Sequence, residues 1–185
     1  MANLSLDLGC GTNKHCGSIG LDQIFLDKIV DVVHRIERGA YLPFRDDSFD
    51  HIYMIDLVEH IQEIPWLLSE VHRVATSGAI VEIRFPHYSH PDAHSDVTHV
   101  HRGFGVHALD HFDPTTDAGS RYRYYKLQSR NFPFRIEEVQ TEFNSSIGSN
   151  VKRILCQALG LDYYEKYISR VIPLDNIVTK LKVVK

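Results

Sequence analysis

The first hydrophobic and polar positions of the chain alternate in a way that predicts a β-strand. Leu4, Leu6 and Leu8 are separated by smaller or polar residues, and the alternation stops at Gly9 and Gly11. Glycine at the carboxyl end of a strand permits a tight turn and lets a ligand come close to the main chain. We therefore expect a strand followed by a turn that binds a nucleotide or nucleoside.

The same kinds of pattern continue along the chain and predict an α/β fold. Six further apolar runs predict strands, namely the run that ends at Asp22 and residues 31–36, 51–55, 79–85, 139–143 and 177–183. Apolar residues at helical spacing predict one helix that starts near Ile64 and ends before Gly78, and another over residues 151–159. Seven strands interleaved with helices favour a sheet covered by helices.

An acidic residue at the end of the second strand narrows the expected ligand. Asp22 follows Gly11 by eleven positions, and a carboxylate there can accept hydrogen bonds from both hydroxyls of a ribose. The third glycine of the dinucleotide fingerprint would fall on Lys14, so that fingerprint is absent. The pattern therefore favours a nucleoside ligand and disfavours a dinucleotide-dependent oxidoreductase.

Four stretches of the first half resemble the motifs of the class I S-adenosylmethionine-dependent methyltransferases, in particular those of the methyltransferase-11 type group. They are Leu6-Asp7-Leu8-Gly9-Cys10-Gly11-Thr12, Leu42-Pro43-Phe44-Arg45-Asp46-Asp47-Ser48-Phe49-Asp50, Glu59-His60 and Glu70-Val71-His72-Arg73-Val74. The resemblance implies a Rossmann-like, seven-stranded, mostly parallel sheet with helices on both faces and an antiparallel last strand. It also implies S-adenosylmethionine as the cofactor.

The resemblance places the cofactor at the turn after the first strand and at the ends of the following strands. The implied cofactor-binding residues are Asp7, Gly9, Cys10, Gly11, Asp22, Glu37, Asp56 and Leu57. Glu37 follows the third strand, where the family contacts the adenine ring; a solvated acid in a turn is the alternative interpretation. Residues 12–20 are too short and too rich in glycine for the usual crossover helix. We therefore expect the methionine end of the cofactor to be less enclosed than usual.

The regular pattern breaks after Pro86 for about forty residues that are rich in histidine. We interpret residues 87–130 as a substrate lid inserted into a single domain of residues 1–185. Within it, Ser95-Asp96-Val97-Thr98-His99 resembles a family stretch written Asp-Pro-Thr-His, which implies Asp96 and His99 as catalytic residues on the substrate side. The remaining lid histidines lack the spacing of a zinc motif, so we expect them to be solvated. They are His87, His90, His94, His101, His107 and His111.

A second group of acidic and histidine residues precedes the lid. Asp56, Glu59 and His60 stand at positions i, i+3 and i+4, so on a helix they share one face beside the cofactor. Two carboxylates and one imidazole leave the coordination shell of a metal incomplete, so we predict no metal and favour the interpretation that Glu59 and His60 cap and orient this helix. His60 is also a candidate catalytic residue. The alternative is a magnesium site made by these three residues and a lid histidine, which resembles clusters in ubiquinone and small-RNA O-methyltransferases.

Charge and composition narrow the choice of partners. The 185 residues include 20 Lys and Arg against 24 Asp and Glu, with a net charge of −4, which does not favour a polyanion such as nucleic acid. Residues 121–126 mix cations with aromatic rings, a pattern typical of base stacking or of a charge-protected edge strand, and we favour the edge strand. We expect a small-molecule partner and no nucleic acid, and the oligomeric state stays open.

Cysteine usage and hydropathy indicate the compartment. Cys10, Cys16 and Cys156 have no paired ligand spacing, which predicts reduced thiols in a cytoplasmic protein. No apolar stretch approaches the length of a membrane span, and no basic segment followed by an apolar run opens the chain. We therefore predict a cytoplasmic protein without a membrane partner.

These observations combine into one functional prediction. We expect a methyltransferase that uses S-adenosylmethionine and methylates a small-molecule or sugar-like acceptor at oxygen, because such a nucleophile needs a base and histidine titrates near neutrality. Metal-dependent O-methyl transfer through Asp56, Glu59, His60 and a lid histidine is one alternative. A catalytically inactive nucleoside-binding module is the other.

Overall fold

A seven-stranded sheet organises the computed structural model, which describes residues 4–129, 131–143 and 148–185. The strands are β1 (Ser5–Leu8), β2 (Ile19–Asp22), β3 (Val32–Val33), β4 (Phe49–Ile55), β5 (Ala75–Pro86), β6 (Phe134–Glu142) and β7 (Asn176–Val183). The α-helices are α1 (Ile64–Val74), α2 (Asp92–Ser95), α3 (Asp117–Tyr122), α4 (Ser149–Leu159) and α5 (Leu161–Tyr163). Short 3₁₀ helices cover Val58–His60, Asp110–Phe112 and Tyr124–Ser129, and a π-helical turn covers Tyr164–Ile168.

The strand order is β3-β2-β1-β4-β5-β7-β6. Neighbours from β3 to β5 pair in parallel, whereas β7 pairs antiparallel with both β5 and β6. The order reverses at β1, so the carboxyl ends of β1, β2 and β4 meet at one edge, where open α/β sheets bind their ligands. This arrangement confirms the predicted fold class, including the antiparallel last strand.

Helix α1 covers one face of the sheet because its apolar residues recur at helical spacing. Leu67, Leu68, Val71 and Val74 are completely buried, and they belong to the same core as the strand residues that point to this face. Pro65 lies in the first turn, where its missing N–H costs no helical hydrogen bond. The predicted helix from residue 64 is thus confirmed.

Three of the strand connections contain no helix. The segments between β1 and β2, between β2 and β3, and between β3 and β4 are turns and irregular chain. In the first of them, His15 stacks on the ring of Tyr53 with centroids 3.8 Å apart and planes 4° from parallel. The sheet face that bears Tyr53, His51 and Glu82 is therefore only partly buried, so the helical cover is thinner than the family resemblance implies.

Strand β3 is shorter than the predicted run of residues 31–36. Only Val32 and Val33 pair with β2, and Val33 is 54% exposed because β3 lies at the edge of the sheet. Past Val33, the His34 N–H still donates to the Asp22 carbonyl at 2.9 Å. The chain then leaves the sheet toward the functional edge.

The insertion after β5 has two structurally different halves. Residues 87–101 run along the ligand-binding edge, where the Val100 and His101 N–H groups donate to the Glu59 carbonyl at 2.9 and 3.1 Å. Residues 106–132 instead bury apolar side chains in the main core, including Val106, Leu109, Phe112, Tyr125 and Phe132. The second half is therefore part of the packed domain.

The prediction of an edge strand at residues 121–126 is wrong. Thr116 caps α3, since its Oγ1 accepts the Gly119 N–H at 2.9 Å, and the chain continues into a 3₁₀ helix from Tyr124. The aromatic and cationic residues lie on helical turns that bury Tyr125, which is 7% exposed. Local capping and burial of one ring outweigh the alternating pattern here.

The helices of the described residues are short. None of those in residues 4–129, 131–143 and 148–185 combines the length and the apolar character that a membrane span requires.

Candidate active site

Three cavities meet at the carboxyl edge of the sheet. The β2–β3 cavity, of about 650 Å³, lies beside Asp22, Glu37 and Leu57. The β1–β5 cavity, of about 470 Å³, lies beside Gly11 and Arg84. The insertion cavity, of about 440 Å³, is lined by Asp56, Glu59, His60, Asp92, Ser95, Asp96, His99 and Asn176. Asp56 lines all three cavities, so it marks their junction.

The glycine turn after β1 has the backbone geometry that its sequence predicts. Gly9 and Gly11 adopt φ angles of 68° and 50°, which favour glycine. Asp22 fixes the turn, because its Oδ2 accepts the Gly11 N–H at 3.0 Å and its Oδ1 accepts the Ile24 N–H at 2.9 Å. Each oxygen keeps a lone pair for a further donor such as a ribose hydroxyl. A Cβ at Gly11 would meet nothing within 4 Å, so the turn faces open space that a ligand can fill.

Asp7 and Cys10 lie beneath this turn and hold it in place. Asp7 is 2% exposed, and its Oδ2 accepts the His15 N–H at 2.8 Å and lies 3.1 Å from the His15 ring Nδ1. Burial, with a smaller contribution from Asp7, raises the pKa of the Cys10 thiol to about 11, so it is protonated and unreactive at neutral pH. Both residues border the β1–β5 cavity, and their contact with the cofactor stays a prediction.

Asp56 has a strained backbone and a charged partner. Its φ angle is 51°, which is uncommon for a residue other than glycine. Its carboxylate accepts hydrogen bonds from Arg84 on β5, through Nε at 3.1 Å and through Nη2. Arg84 also approaches Glu142 Oε2 with Nη1 at 3.4 Å. The sequence reasoning did not select Arg84, although the polar positions Glu82 and Arg84 within an apolar strand were a usable signal.

Glu37 and Leu57 line the β2–β3 cavity as the resemblance implied. Glu37 Oε2 lies 2.9 Å from Arg35 Nε, and this pair sits at the rim of the cavity. Leu57 is 8% exposed and packs against Gly9, where an added Cβ would come within 2.7 Å of Leu57 Cδ1. Both residues therefore border this cavity, and their contact with a bound nucleoside stays a prediction.

The insertion cavity brings together the three predicted catalytic residues. The rings of His60 and His99 stand edge to face with centroids 4.8 Å apart, and His99 Nε2 lies 3.8 Å from Asp96 Oδ2. His60 Nδ1 lies 3.2 Å from both the carbonyl oxygen and the Oγ1 of Thr98. Hydrogen bonds from Thr98 lower the pKa of Asp96, so this residue is a carboxylate at neutral pH.

Glu59 is a buried acid without a complete set of partners. It is 1% exposed, and its Oε2 has no hydrogen-bond partner among the described residues. Burial, with a smaller contribution from the Asp56 charge, raises the pKa of Glu59 to about 7. Buried His99 Nδ1 likewise lacks a partner within the described part of the chain.

A group of possible metal ligands follows from this arrangement. One ligand atom each of Glu59, His60 and His99 lies within 4.8 Å of the others. Asp56 is not in this group, because its carboxylate is turned toward Arg84. The lid histidine that the alternative prediction required is thus His99.

His94 and His107 are exposed as predicted, but the predicted solvation is wrong for the other four insertion histidines, which are buried or half-buried: His87, His90, His101 and His111. His87 is completely buried between Ser89 Oγ at 2.7 Å and Glu165 Oε1 at 3.1 Å. The His94 and His101 rings contact backbone carbonyl oxygens at 2.9 and 3.0 Å. His111 stacks on Tyr124. The contacts of these imidazoles hold the insertion in its fold. Spacing along the sequence does not reveal this role.

Comparison with known proteins finds similar methyltransferase domains and folds. Residues 6–83 match the family model described as a methyltransferase domain. An S-adenosylmethionine-dependent methyltransferase from Archaeoglobus fulgidus is similar in structure, with 18% identity, a TM-score of 0.56, and coverage of 98% of this chain and 86% of that one. One from Mesorhizobium loti shows 17% identity and a TM-score of 0.55, covering 97% of this chain and 90% of that chain. No curated protein matches the chain.

A further similar structure is a putative methyltransferase from Haloferax volcanii in complex with the Trm112 activator. It has 15% identity and a TM-score of 0.58, and the match covers 99% of this chain and 82% of that one. The structural likenesses establish the fold, and the matched domain adds the family motifs. Together they show that the chain has the fold of S-adenosylmethionine-dependent methyltransferases and that residues 6–83 match a methyltransferase domain.

Proposed function

We propose that the chain is an S-adenosylmethionine-dependent methyltransferase that acts on a hydroxyl oxygen of a small, sugar-like acceptor bound in the insertion cavity. The observation that carries this proposal is the junction of the cavities: the insertion cavity and the β2–β3 cavity share Asp56 and His60. The insertion cavity is lined by carboxylates, imidazoles, Ser95 and Asn176, which are suited to hydrogen-bonding a polyol. An acceptor oxygen beside His60 would therefore lie next to the cofactor.

The proposed cofactor site uses the other two cavities. Asp22 and Glu37, which line the β2–β3 cavity, would receive the adenosine part there, and Leu57 would pack against it. The glycine turn, which lines the β1–β5 cavity, would lie along the methionine part. When bound, S-adenosylmethionine supplies a methyl group already activated by its sulfonium sulfur.

The chain's own residues would orient the acceptor and remove its proton. If His60 Nδ1–H donates to the Thr98 carbonyl at 3.2 Å, His60 Nε2 is left as a base. Asp96, 3.8 Å from His99 Nε2, would hold that second imidazole in orientation. The acceptor hydroxyl would then lose its proton to an imidazole nitrogen while its oxygen is held in line for transfer.

The first half of the insertion would act as the lid in this proposal. Thr98 and Val100 line the β2–β3 cavity, so this segment covers the point where acceptor and cofactor meet. We extend the proposal to one domain for residues 1–185, a cytoplasmic location and no nucleic-acid partner. The slightly acidic composition supports the last point.

The test has a binding stage and a transfer stage. Calorimetry with S-adenosylmethionine and S-adenosylhomocysteine is expected to give binding that Asp22→Ala abolishes. Transfer of labelled methyl is then measured on a panel of neutral sugars, with phenols, amines and carboxylic acids for comparison. His60→Gln and His99→Gln should reduce the turnover number on the active acceptor by roughly 100-fold or more with little change in cofactor affinity. His107→Gln, in an imidazole that is 61% exposed, is the matched control.

Each failure has a distinct meaning. Transfer only to amines would contradict the oxygen acceptor, and transfer only to phenols or carboxylic acids would contradict the sugar-like hydroxyl; each result would leave the methyltransferase assignment intact. Tight cofactor binding without product on any acceptor would favour the inactive nucleoside-binding module instead.

A metal-assisted version of the same reaction is the second candidate. It is favoured by the convergence of Glu59, His60 and His99 and by the buried, unpartnered Glu59 Oε2 and His99 Nδ1. One carboxylate and two imidazoles are ligands that Mn²⁺ and Zn²⁺ accept, and acceptor hydroxyls or water could complete the shell. Such an ion would lower the pKa of an acceptor hydroxyl and reduce the need for a base.

Metal titration separates the two candidates. Calorimetry with Mn²⁺, Zn²⁺ and Mg²⁺ should show one site per chain that Glu59→Gln weakens by about tenfold or more. Activity should be lost with a chelator and restored by one of these ions. Full activity in the presence of chelator would rule out this version and leave the imidazole base.

A further inference from the structure

The charged side chains that line the β1–β5 cavity are mainly acidic. Its described lining includes four carboxylates and a single arginine or lysine, Arg84; the acids are Asp7, Asp56, Glu82 and Glu142. The cavity is open on this side because no helix follows β1. Side chains that β5 points to this face are therefore accessible to a ligand.

Two carboxylates fix the Arg84 guanidinium, and some of its N–H donors stay available for another acceptor. Asp56 engages its Nε and Nη2, and Glu142 engages Nη1 at a longer distance of 3.4 Å. A guanidinium has five N–H donors, so one hydrogen on each Nη atom remains for another acceptor. The Arg84 side chain is 30% exposed and Glu142 is 52% exposed, so an incoming carboxylate could displace Glu142 without disturbing Asp56.

Glu82 lies two residues before Arg84, on the same face of β5. Among the residues that the structure describes, no hydrogen-bond donor or cation is paired with its carboxylate, and Lys180, opposite it in the sheet, is bound to Glu138 at 2.9 Å. β5 therefore presents an acceptor and a donor of opposite charge, side by side, to one cavity. That pattern matches a zwitterion.

We propose that Glu82 and Arg84 bind the amino-acid end of the cofactor, with Arg84 on its carboxylate and Glu82 on its ammonium group. In this chain, β5 would then supply contacts at the end of the cofactor that the missing crossover helix leaves open. This inference rests on the proposed placement of the cofactor, with its adenosine beside Asp22.

Cofactor analogues test the two contacts separately. Dissociation constants are measured by calorimetry for S-adenosylmethionine, its decarboxylated form, and 5′-methylthioadenosine, which lacks both charged groups. Arg84→Gln should weaken S-adenosylmethionine by about 10- to 100-fold and leave the decarboxylated form nearly unchanged. Glu82→Gln should weaken both of these ligands, because both carry the ammonium group. Neither variant should alter the affinity for 5′-methylthioadenosine.

The controls identify what has failed if the pattern is not seen. Arg135→Gln, in an arginine on β6 that is 49% exposed, should change no affinity. Equal losses for S-adenosylmethionine and its decarboxylated form in Arg84→Gln would overturn the assignment of Arg84, as would no loss at all. A loss of 5′-methylthioadenosine binding in Arg84→Gln would show that the residue only shapes the fold. If the unaltered protein does not bind 5′-methylthioadenosine, or if Asp22→Ala does not weaken it, the proposed cofactor placement itself is wrong.

Discussion

At the scale of single residues, the backbone of the glycine turn limits which side chains the site tolerates. Gly9 has a φ of 68°, and a Cβ there would lie 2.7 Å from Leu57 Cδ1. Gly17 has a similar φ of 81° but open space around it. A substitution at Gly17 therefore measures the cost of backbone strain alone, whereas one at Gly9 adds the cost of a steric clash.

We predict that Gly9→Ala lowers the free energy of unfolding by about 2 kcal/mol and weakens S-adenosylhomocysteine binding, because Leu57 must move toward the β2–β3 cavity. Gly17→Ala should cost about 1 kcal/mol and leave binding unchanged. Urea unfolding and calorimetry measure the two effects. Equal behaviour of the two variants would show that Leu57 does not constrain the turn.

The buried acid Glu59 makes stability depend on pH. Its pKa of about 7 in the folded chain lies above its ordinary value of 4.5, because burial disfavours the carboxylate. In metal-free protein the folded state therefore keeps a proton that the unfolded state releases as pH rises from 4.5 to 7. This group favours folding most below pH 4.5, and its contribution falls by about 3 kcal/mol by pH 7.

We predict that Glu59→Gln removes this part of the pH dependence. Urea unfolding with chelator present, at pH 5 and pH 8, should show that the variant gains stability relative to the unaltered chain as pH rises. Glu137→Gln, in an exposed residue of β6, is the control and should follow the unaltered chain. A Glu59→Gln profile parallel to the unaltered profile would mean that Glu59 is ionised in the folded chain throughout this range.

At the scale of elements, one arginine connects helix α1 to the turn that precedes β4. Arg73 Nη2 lies 2.7 Å from Glu70 Oε2, and its Nη groups donate to the Phe44 and Leu42 carbonyls at 2.8 and 3.0 Å. Glu70 is 1% exposed and also accepts the Leu42 N–H at 3.0 Å. Loss of the arginine would remove a counter-charge from this buried carboxylate.

We predict that Arg73→Met destabilises the chain by about 3–5 kcal/mol, because a buried charge loses its partner. Arg38→Met is the comparison, since Arg38 forms a long ion pair of 3.5 Å with Glu63 and is 66% exposed. It should cost less than about 1 kcal/mol. Chemical denaturation measures both. A small effect of Arg73→Met would show that water reaches Glu70 easily.

The elements that the sequence predicted correctly are those with a strong local signal. β1, α1 and β7 have clear periodicity, and the glycine turn with Asp22 has a spacing that only a few ligand sites use. Arg84 was missed because its partners, Asp56 and Glu142, are distant from it in sequence. The residues at 121–126 were misassigned because an alternation of cations and rings does not reveal a capped helix.

In the candidate site, too, residues close in sequence were predictable and those brought together by the fold were not. Asp56, Glu59 and His60 are close in sequence, so their shared neighbourhood was predictable. His99 joins Glu59 and His60 only because residues 87–101 fold back along the sheet edge, with the Val100 and His101 N–H groups bound to the Glu59 carbonyl. Periodicity carries no information about such a return path. The family resemblance selected His99 where spacing could not.

At the scale of the whole molecule, the insertion raises the question of how many folding units the chain contains. Its second half places Phe112 in the main core, where the side chain is 4% exposed and lies beside the Phe132 ring at 6.2 Å between centroids. Its first half carries Val97, which is 97% exposed. A separate lid and a single cooperative domain therefore predict different results for substitutions in the two halves.

We predict that Phe112→Ala lowers the stability of the whole sheet by about 3–5 kcal/mol and shifts one thermal transition down by roughly 10 °C, because a large ring is removed from the shared core. Val97→Ala should change stability by less than about 0.5 kcal/mol. For each variant, the midpoint from calorimetry should agree with the midpoint from circular dichroism at a β-sheet wavelength. A second, lower transition in Phe112→Ala, with the sheet melting unchanged, would mean that the insertion folds as a unit of its own and that residues 1–185 are not one domain.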